Sequence, residues 1–293
     1  MKTLPLALAA ALALAPSAAA QKAQGKPWFS EVLLQAPAKL GGCAIGNFDP
    51  DSPGKEAAAV CENGMVFLVR QDGGGDWPWN GRRVAQAPGE LIQCFAANVL
   101  SETEADELVV YGASRGREDD GGPGIAYLGA LDERGLLELT PLLQDEALLH
   151  GGTLANLDPR HRGNEIVLGG FSKKLHVLHR EGADWIPEVA VEMDAPIKAI
   201  TPWRDGVAVG TTDGKLTLVQ RVDDGWRSVL LEATGAGHAR LAAFAGILLS
   251  ARDDGGLLRV DTNFKTQRVF QGKEKLRGAA LGSRSWPAAT RAS

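Results

Sequence analysis

The sequence predicts an all-β fold, a β-propeller of about six four-stranded blades, and three observations lead there. Long helical periodicity is absent, while runs of about four to eight apolar or β-branched residues recur between Gly, Asp, Asn and Pro, the pattern of many short antiparallel strands. The runs group in fours, and the group repeats every about 40 to 58 residues, a period that means propeller blades. One turn is also written twice. "NFDPDSPGKEAAAVC" covers Asn47–Cys61 and "NLDPRHRGNEIVLGG" covers Asn156–Gly170. Each has Asn, Asp-Pro two residues on, then Gly, then Glu nine residues after the Asn.

Taken from the N-terminus, Met1-Lys2 precedes an apolar run from Leu4 to Leu14 and the small residues Ser17-Ala18-Ala19-Ala20. A basic start, a short apolar core and an Ala-x-Ala site make a secretory signal peptide cleaved after Ala20, which predicts a secreted or periplasmic protein. The domains expected are therefore the signal, 1–20, and a single propeller, 21–293. No later run approaches about 18 uninterrupted apolar residues, so no membrane span is expected after cleavage.

Within the propeller, outer strands open on Trp: Trp28–Pro37, Trp77–Pro88, Trp185–Pro196 and Trp226–Gly235. A strand of small residues follows, then the turn, then a strand led by Glu, then a third strand such as "KLHVLHRE". Units begin near Leu40, Leu91, Leu149, Ile197, Ala239 and Leu276. Units four and five have short first turns, "PWRDGVAVG" and "FAGILLS". The longest insertion, Ser114–Gly124, is expected as an exposed loop. Trp28–Pro37 is a fourth strand with no blade before it, and the last unit stops after one or two strands. Joining them builds a composite last blade that removes exposed sheet edges. Four of the seven Trp occupy equivalent repeat positions, which predicts packing between adjacent blades rather than exposed stacking platforms.

The net charge of −5 argues against nucleic acid, which wants a basic patch. Of three cysteines, Cys43 and Cys61 are expected on neighbouring strands of one hairpin, where a disulfide or two buried thiols both fit.

With its Asp-Pro turns and Glu-led strands, the chain resembles the FG-GAP and VCBS repeat families, the integrin-alpha-like propellers. There the first turn of a blade carries Asp-rich calcium loops, and some polysaccharide-lyase relatives use a longer Asp-Pro variant close to "NFDPDSPGKE". The resemblance implies calcium. Turn one supplies the candidate ligands Asn47, Asp49, Asp51 and Glu56, a weak site for an ion that wants six to eight oxygens. Turn two offers Asn98, Ser101, Glu102, Asp106 and Glu107. Turn three offers Asn156, Asp158 and Glu165, but Arg160, His161 and Arg162 oppose a cation there. The competing reading is structural: Asn and Asp accept backbone N–H bonds, Pro and Gly set the angles, and Glu bonds the neighbouring strand.

Catalytic motifs do not converge. His176 and His179 lie three apart on one strand and so on opposite faces. His150 and His238 stand near first-strand starts, close to the channel mouth. Asp253-Asp254 and Asp223-Asp224 suit hairpin turns. The function expected is an exported, non-enzymatic, monomeric binding or scaffold module for protein or extracellular polysaccharide, using the channel mouth and the Ser114–Gly124 loop. The alternative is a sugar-active lyase or dehydratase on the same propeller, with Arg160, His161 and Arg162 beside a carboxylate.

Overall fold

The computed structural model describes residues 33–52, 54–71, 79–100, 104–114, 122–161, 163–223 and 225–279. Two compact units divide the chain, 1–35 and 36–293, and all strands described belong to the second. The signal segment, Trp28, Trp77 and the tip of the Ser114–Gly124 loop lie outside the described residues.

Among the described residues, twenty strands form five antiparallel four-stranded sheets, each in chain order from inside to outside. Blade 1 is β1 (Leu40–Gly46), β2 (Glu56–Cys61), β3 (Met65–Gln71) and β4 (Trp79–Gln86). Blade 2 is β5 (Glu90–Ala97), β6 (Glu107–Ala113), β7 (Gly124–Leu131) and β8 (Leu137–Asp145). Blade 3 is β9 (Leu149–Ala155), β10 (Glu165–Gly170), β11 (Lys174–Glu181) and β12 (Asp184–Glu192). Blade 4 is β13 (Ile197–Trp203), β14 (Gly206–Thr211), β15 (Lys215–Val222) and β16 (Gly225–Ala233). Blade 5 is β17 (His238–Phe244), β18 (Ile247–Arg252), β19 (Gly256–Val260) and β20 (Thr266–Gln271).

The expectation of about six blades is corrected to five. The sixth was to be built from the two ends, yet residues 33–37 and 276–279 form no strand. The rest of that composite blade, 28–32 and 280–293, lies outside the described residues.

Sequence pattern explains the layering. The second strand of a blade is sandwiched between neighbouring blades, so "ELVVYGA", "EIVLGG" and "GVAVGT" are buried at every position. The outer strands β12 and β16 face solvent on one side and alternate in exposure. Register slips by one residue at equivalent places in every blade, near the start of the first strand's pairing and of the third strand's pairing. Such bulges increase strand twist, which each blade needs to splay from the axis. Gly64 makes the tight β2–β3 turn at φ 82°, and a Cβ there would lie 2.3 Å from the Ala87 carbonyl oxygen.

Four apolar cores fill the spaces between successive blades. Leu68, Leu91, Leu108 and Val110 join blades 1 and 2; Val109, Leu128, Ile166 and Leu168 join 2 and 3. Val167, Val177, Ile200 and Val209 join 3 and 4; Trp203, Leu216, Leu218 and Leu248 join 4 and 5. Trp185 and Trp226 pack at the second and third of these cores, as expected of the repeated Trp. Cys43 and Cys61 do sit on adjacent strands, but Cys43 pairs with Ala59 and Cys61 with Leu40, and all three cysteines are free.

Candidate functional site

Each blade's first turn and its last hairpin turn lie on one face of the propeller, while the Ser114–Gly124 loop springs from the other. On the first face the recurring turn has one construction. Asp49 Oδ1 accepts from Asp51 N–H (3.2 Å), and Asp158 Oδ1 from Arg160 N–H (3.0 Å). Ser52 N–H donates to Asp49 O and His161 N–H to Asp158 O, both at 3.0 Å. Gly54 and Gly163 take φ 101° and 97°, the left-handed region that suits glycine.

The sequence suggested that the leading Glu bonds the neighbouring strand; the bonds observed for it run to the turn. It folds back onto its own turn. Glu56 Oε2 accepts from Phe48 N–H (2.9 Å) and Asp49 N–H (3.3 Å). Glu107 Oε2 accepts from Val99 N–H (2.9 Å) and Leu100 N–H (3.2 Å). Glu165 accepts from Leu157 N–H (2.8 Å) and Asp158 N–H (3.4 Å) with its two oxygens. All three carboxylates are buried. Turns one and two are also tied together: Asn47 N–H donates to Asp106 Oδ2, and Asp106 N–H to Asn47 O, both at 2.7 Å.

The four residues suggested for calcium are therefore split. Asn47 is clamped through its backbone, Glu56 turns inward, and Asp49 and Asp51 line the surface. Glu56 Oε1 is buried and has no hydrogen-bond partner among the described residues, in a residue only 2% exposed. It borders a cavity of about 10 Å³ that Asp49, Arg70, Asn80 and Arg82 also line. That space suits about one water. The residues present do not fit a calcium ion, because two guanidinium groups share the cavity with the two carboxylates, and Arg70 stands 3.6 Å from Asp49 Oδ2.

Turn three is neutralised differently. Arg160 grips Asp158 through Nε (2.9 Å) and NH2 (2.6 Å), and Arg221 Nε approaches at 3.6 Å. The Arg160 hydrogen bonds hold the Asp158 carboxyl well below the usual carboxylate range against the opposing effect of burial. His161 stacks on His179 at 3.9 Å, and His179 Nε2 meets Glu181 at 3.1 Å. Arg162, the third residue proposed for proton abstraction, lies outside the described residues.

Between blades 1 and 2 the same face opens into a groove of about 730 Å³. Asp49, Asp51, Glu104, Asp132 and Glu133 line it, against Arg82 and Arg134. Arg134 is bound to Asp132 (2.7 Å), so the groove keeps a negative excess.

A second space, about 100 Å³, lies in the central lumen between β5, β9, β13 and β17. Gln93, Tyr111, His150, Lys198 and Arg240 bring polar groups to it. His150 thus reaches the channel, as its place near a strand start suggested; its Nδ1 lies 2.9 Å from Lys198 O, so that nitrogen carries the proton. Lys198 Nζ meets Asp253 at 2.7 Å, and Lys275 meets the other oxygen at 2.6 Å. Arg240 and Tyr111 had no sequence signal, since they come from blades 5 and 2 and meet only in the folded propeller.

Two other polar clusters are structural. His238 is fully buried, with Nε2 donating to Gly214 O (3.0 Å) and Nδ1 accepting from Ser250 (2.6 Å). Burial and the Arg252 charge push its basicity down, so the ring is neutral. Ser172 and His176 both approach Asp145 Oδ2, at 2.6 and 3.0 Å. Acyl-transfer triads place the imidazole between hydroxyl and carboxylate. Here the carboxylate is in the middle, so the cluster ties blade 2 to blade 3.

No protein-family model matches the chain, and no curated protein matches it. Solved structures do. Sqt1 of Saccharomyces cerevisiae is similar with a TM-score of 0.53 and 15% identity, over 78% of this chain and 62% of that protein. Sqt1 from Chaetomium thermophilum gives 0.54 and 16%, over 80% and 60%. The computationally designed Ika8 protein gives 0.51 and 12%, over 85% and 66%. The chain thus spans 60% to 66% of the length of these solved proteins, and what it shares with them is the β-propeller fold.

Proposed function

We propose that this chain is an exported, non-enzymatic binding or scaffold propeller, a diverged relative of the FG-GAP and VCBS repeats. Its partner is a protein that presents a basic segment to the groove between blades 1 and 2. The observation that carries this reading is the groove itself, about 730 Å³ and open, with five carboxylates against two guanidinium groups. Electrostatic complementarity steers a cationic partner and repels an anionic one. That favours protein over a uronic-acid polysaccharide at this face. The export reading rests on Met1–Ala20. The lyase alternative draws no support from the site, because Arg160 is committed to Asp158.

A photo-reactive residue at Asp51, in the groove, and another at Phe270, on blade 5, test this in the native exported fraction. One discrete adduct with a basic protein is expected from position 51 only, fading as salt rises and lost in Asp132→Lys/Glu133→Lys. Equal labelling from both positions, or adducts indifferent to the charge reversal, contradicts the assignment. Appearance of unsaturated ends on uronic-acid polymers would contradict the non-enzymatic reading.

A further inference from the structure

The lumen carries an inference independent of the groove. Four innermost strands surround a space of about 100 Å³, room for about three waters at ~30 Å³ each. Gly151 and Gly152 follow each other on β9 and bring no side chain to it.

Charge in this space is positive, against the negative charge of the whole chain. Lys198 and Lys275 share the single carboxylate of Asp253, one ammonium on each oxygen. Arg240 is half-buried. Among the described residues it forms no ion pair, and the hydrogen bond it makes is from NH1 to the Ala239 carbonyl, at 2.9 Å. Most of the guanidinium fork is therefore unused in a confined wall. The Arg240 charge reaches the buried Tyr111 hydroxyl, where it opposes the much larger upward push that burial gives that group's pKa. On β5, Gln93 holds the strand position equivalent to that of Arg240 and also lines the space. Arg240, Tyr111 and Gln93 all line this one small space, and a planar guanidinium fork, a phenol hydroxyl and an amide are groups that receive an oxyanion.

We propose that the lumen binds one carboxylate group, held by Arg240 with Tyr111 and Gln93 as neighbouring hydrogen-bond partners. A monoanion matches the single unpaired guanidinium. The surplus charge of Lys198 and Lys275 is held on the two oxygens of Asp253, and stripping water from a dianion in so small a space costs more than from a monoanion. Acetate and galacturonate are carboxylate probes of two sizes, and inorganic phosphate is the contrast.

Calorimetric titration of the full exported chain at low ionic strength tests this. Saturable one-site binding of acetate is expected, with phosphate weaker. Arg240→Gln should weaken acetate binding at least tenfold, and Arg240→Lys less, because it keeps the charge and loses the fork. Arg227→Ala, on the exposed face of β16, should change nothing. Circular dichroism checks that each variant is folded, and Tyr111→Phe, which keeps the ring packing, is the second test, with a severalfold loss expected. Three results would overturn the proposal: no saturable binding of either carboxylate, binding that survives Arg240→Gln unchanged, or phosphate bound more tightly than acetate. None of them bears on the groove partner, which is read by cross-linking.

Discussion

Glu165→Ala lowers the stability of the propeller by about 2–5 kcal/mol, the expected result of leaving two buried amides without their acceptor. Leu157 N–H and Asp158 N–H both end on this carboxylate, at 2.8 and 3.4 Å. Water cannot replace it, because Glu165 and Leu157 are buried. At about 2–4 °C per kcal/mol for a domain of this size, the melting midpoint falls by roughly 5–15 °C. Glu165→Gln keeps the size and one acceptor oxygen but turns an NH2 group on the other amide, so about half the loss is expected. A midpoint within a degree or two of wild type for Glu165→Ala would mean the turn is held by something else.

Trp203→Ala costs about 3–5 kcal/mol, the range for deleting a large buried aromatic ring. Trp203 ends β13 at 2% exposure and is the largest side chain of the core between blades 4 and 5. Its Nε1 donates to Gly246 O across the blade boundary at 2.9 Å. Phe264 meets its ring edge-on at 5.7 Å, and Arg204 lies against both rings. Trp203→Phe retains much of the apolar contact and loses the hydrogen bond, so a cost of about 1–2 kcal/mol is expected. Denaturant titration followed by circular dichroism measures both. Similar losses in the two variants would show that the hydrogen bond, not the ring, joins the blades.

Much of this architecture was readable before the fold. The four-strand unit, the short hairpins of blades 4 and 5 and the inter-blade role of Trp185 and Trp226 all follow from local pattern. The blade count did not, because one strand-like run at each end, Trp28–Pro37 and the Leu276 segment, suggests a blade that only pairing between distant strands could establish. The direction of the leading Glu was also hidden. Sequence shows that a carboxylate recurs, but bonding to the turn or to the next strand differs only in side-chain rotamer. Trp203 stands outside the Trp repeat, at the end of an inner strand, and gave no signal. The lumen set is the deepest case: Gln93, Tyr111, His150, Lys198 and Arg240 are spread over four blades and converge only when these stand around one axis.

The recurring turn is a corner held shut by its own glutamate. The decisive measurement is the melting midpoint of residues 21–293, as wild type and as Glu56→Ala, Glu107→Ala and Glu165→Ala, each in chelator and across a calcium titration. All three variants should fall by similar amounts, and calcium should move none of the four midpoints. A bound ion stabilises the folded state by mass action. A calcium-dependent rise in the wild type that vanishes in Glu56→Ala alone would contradict it and make turn one an ion site.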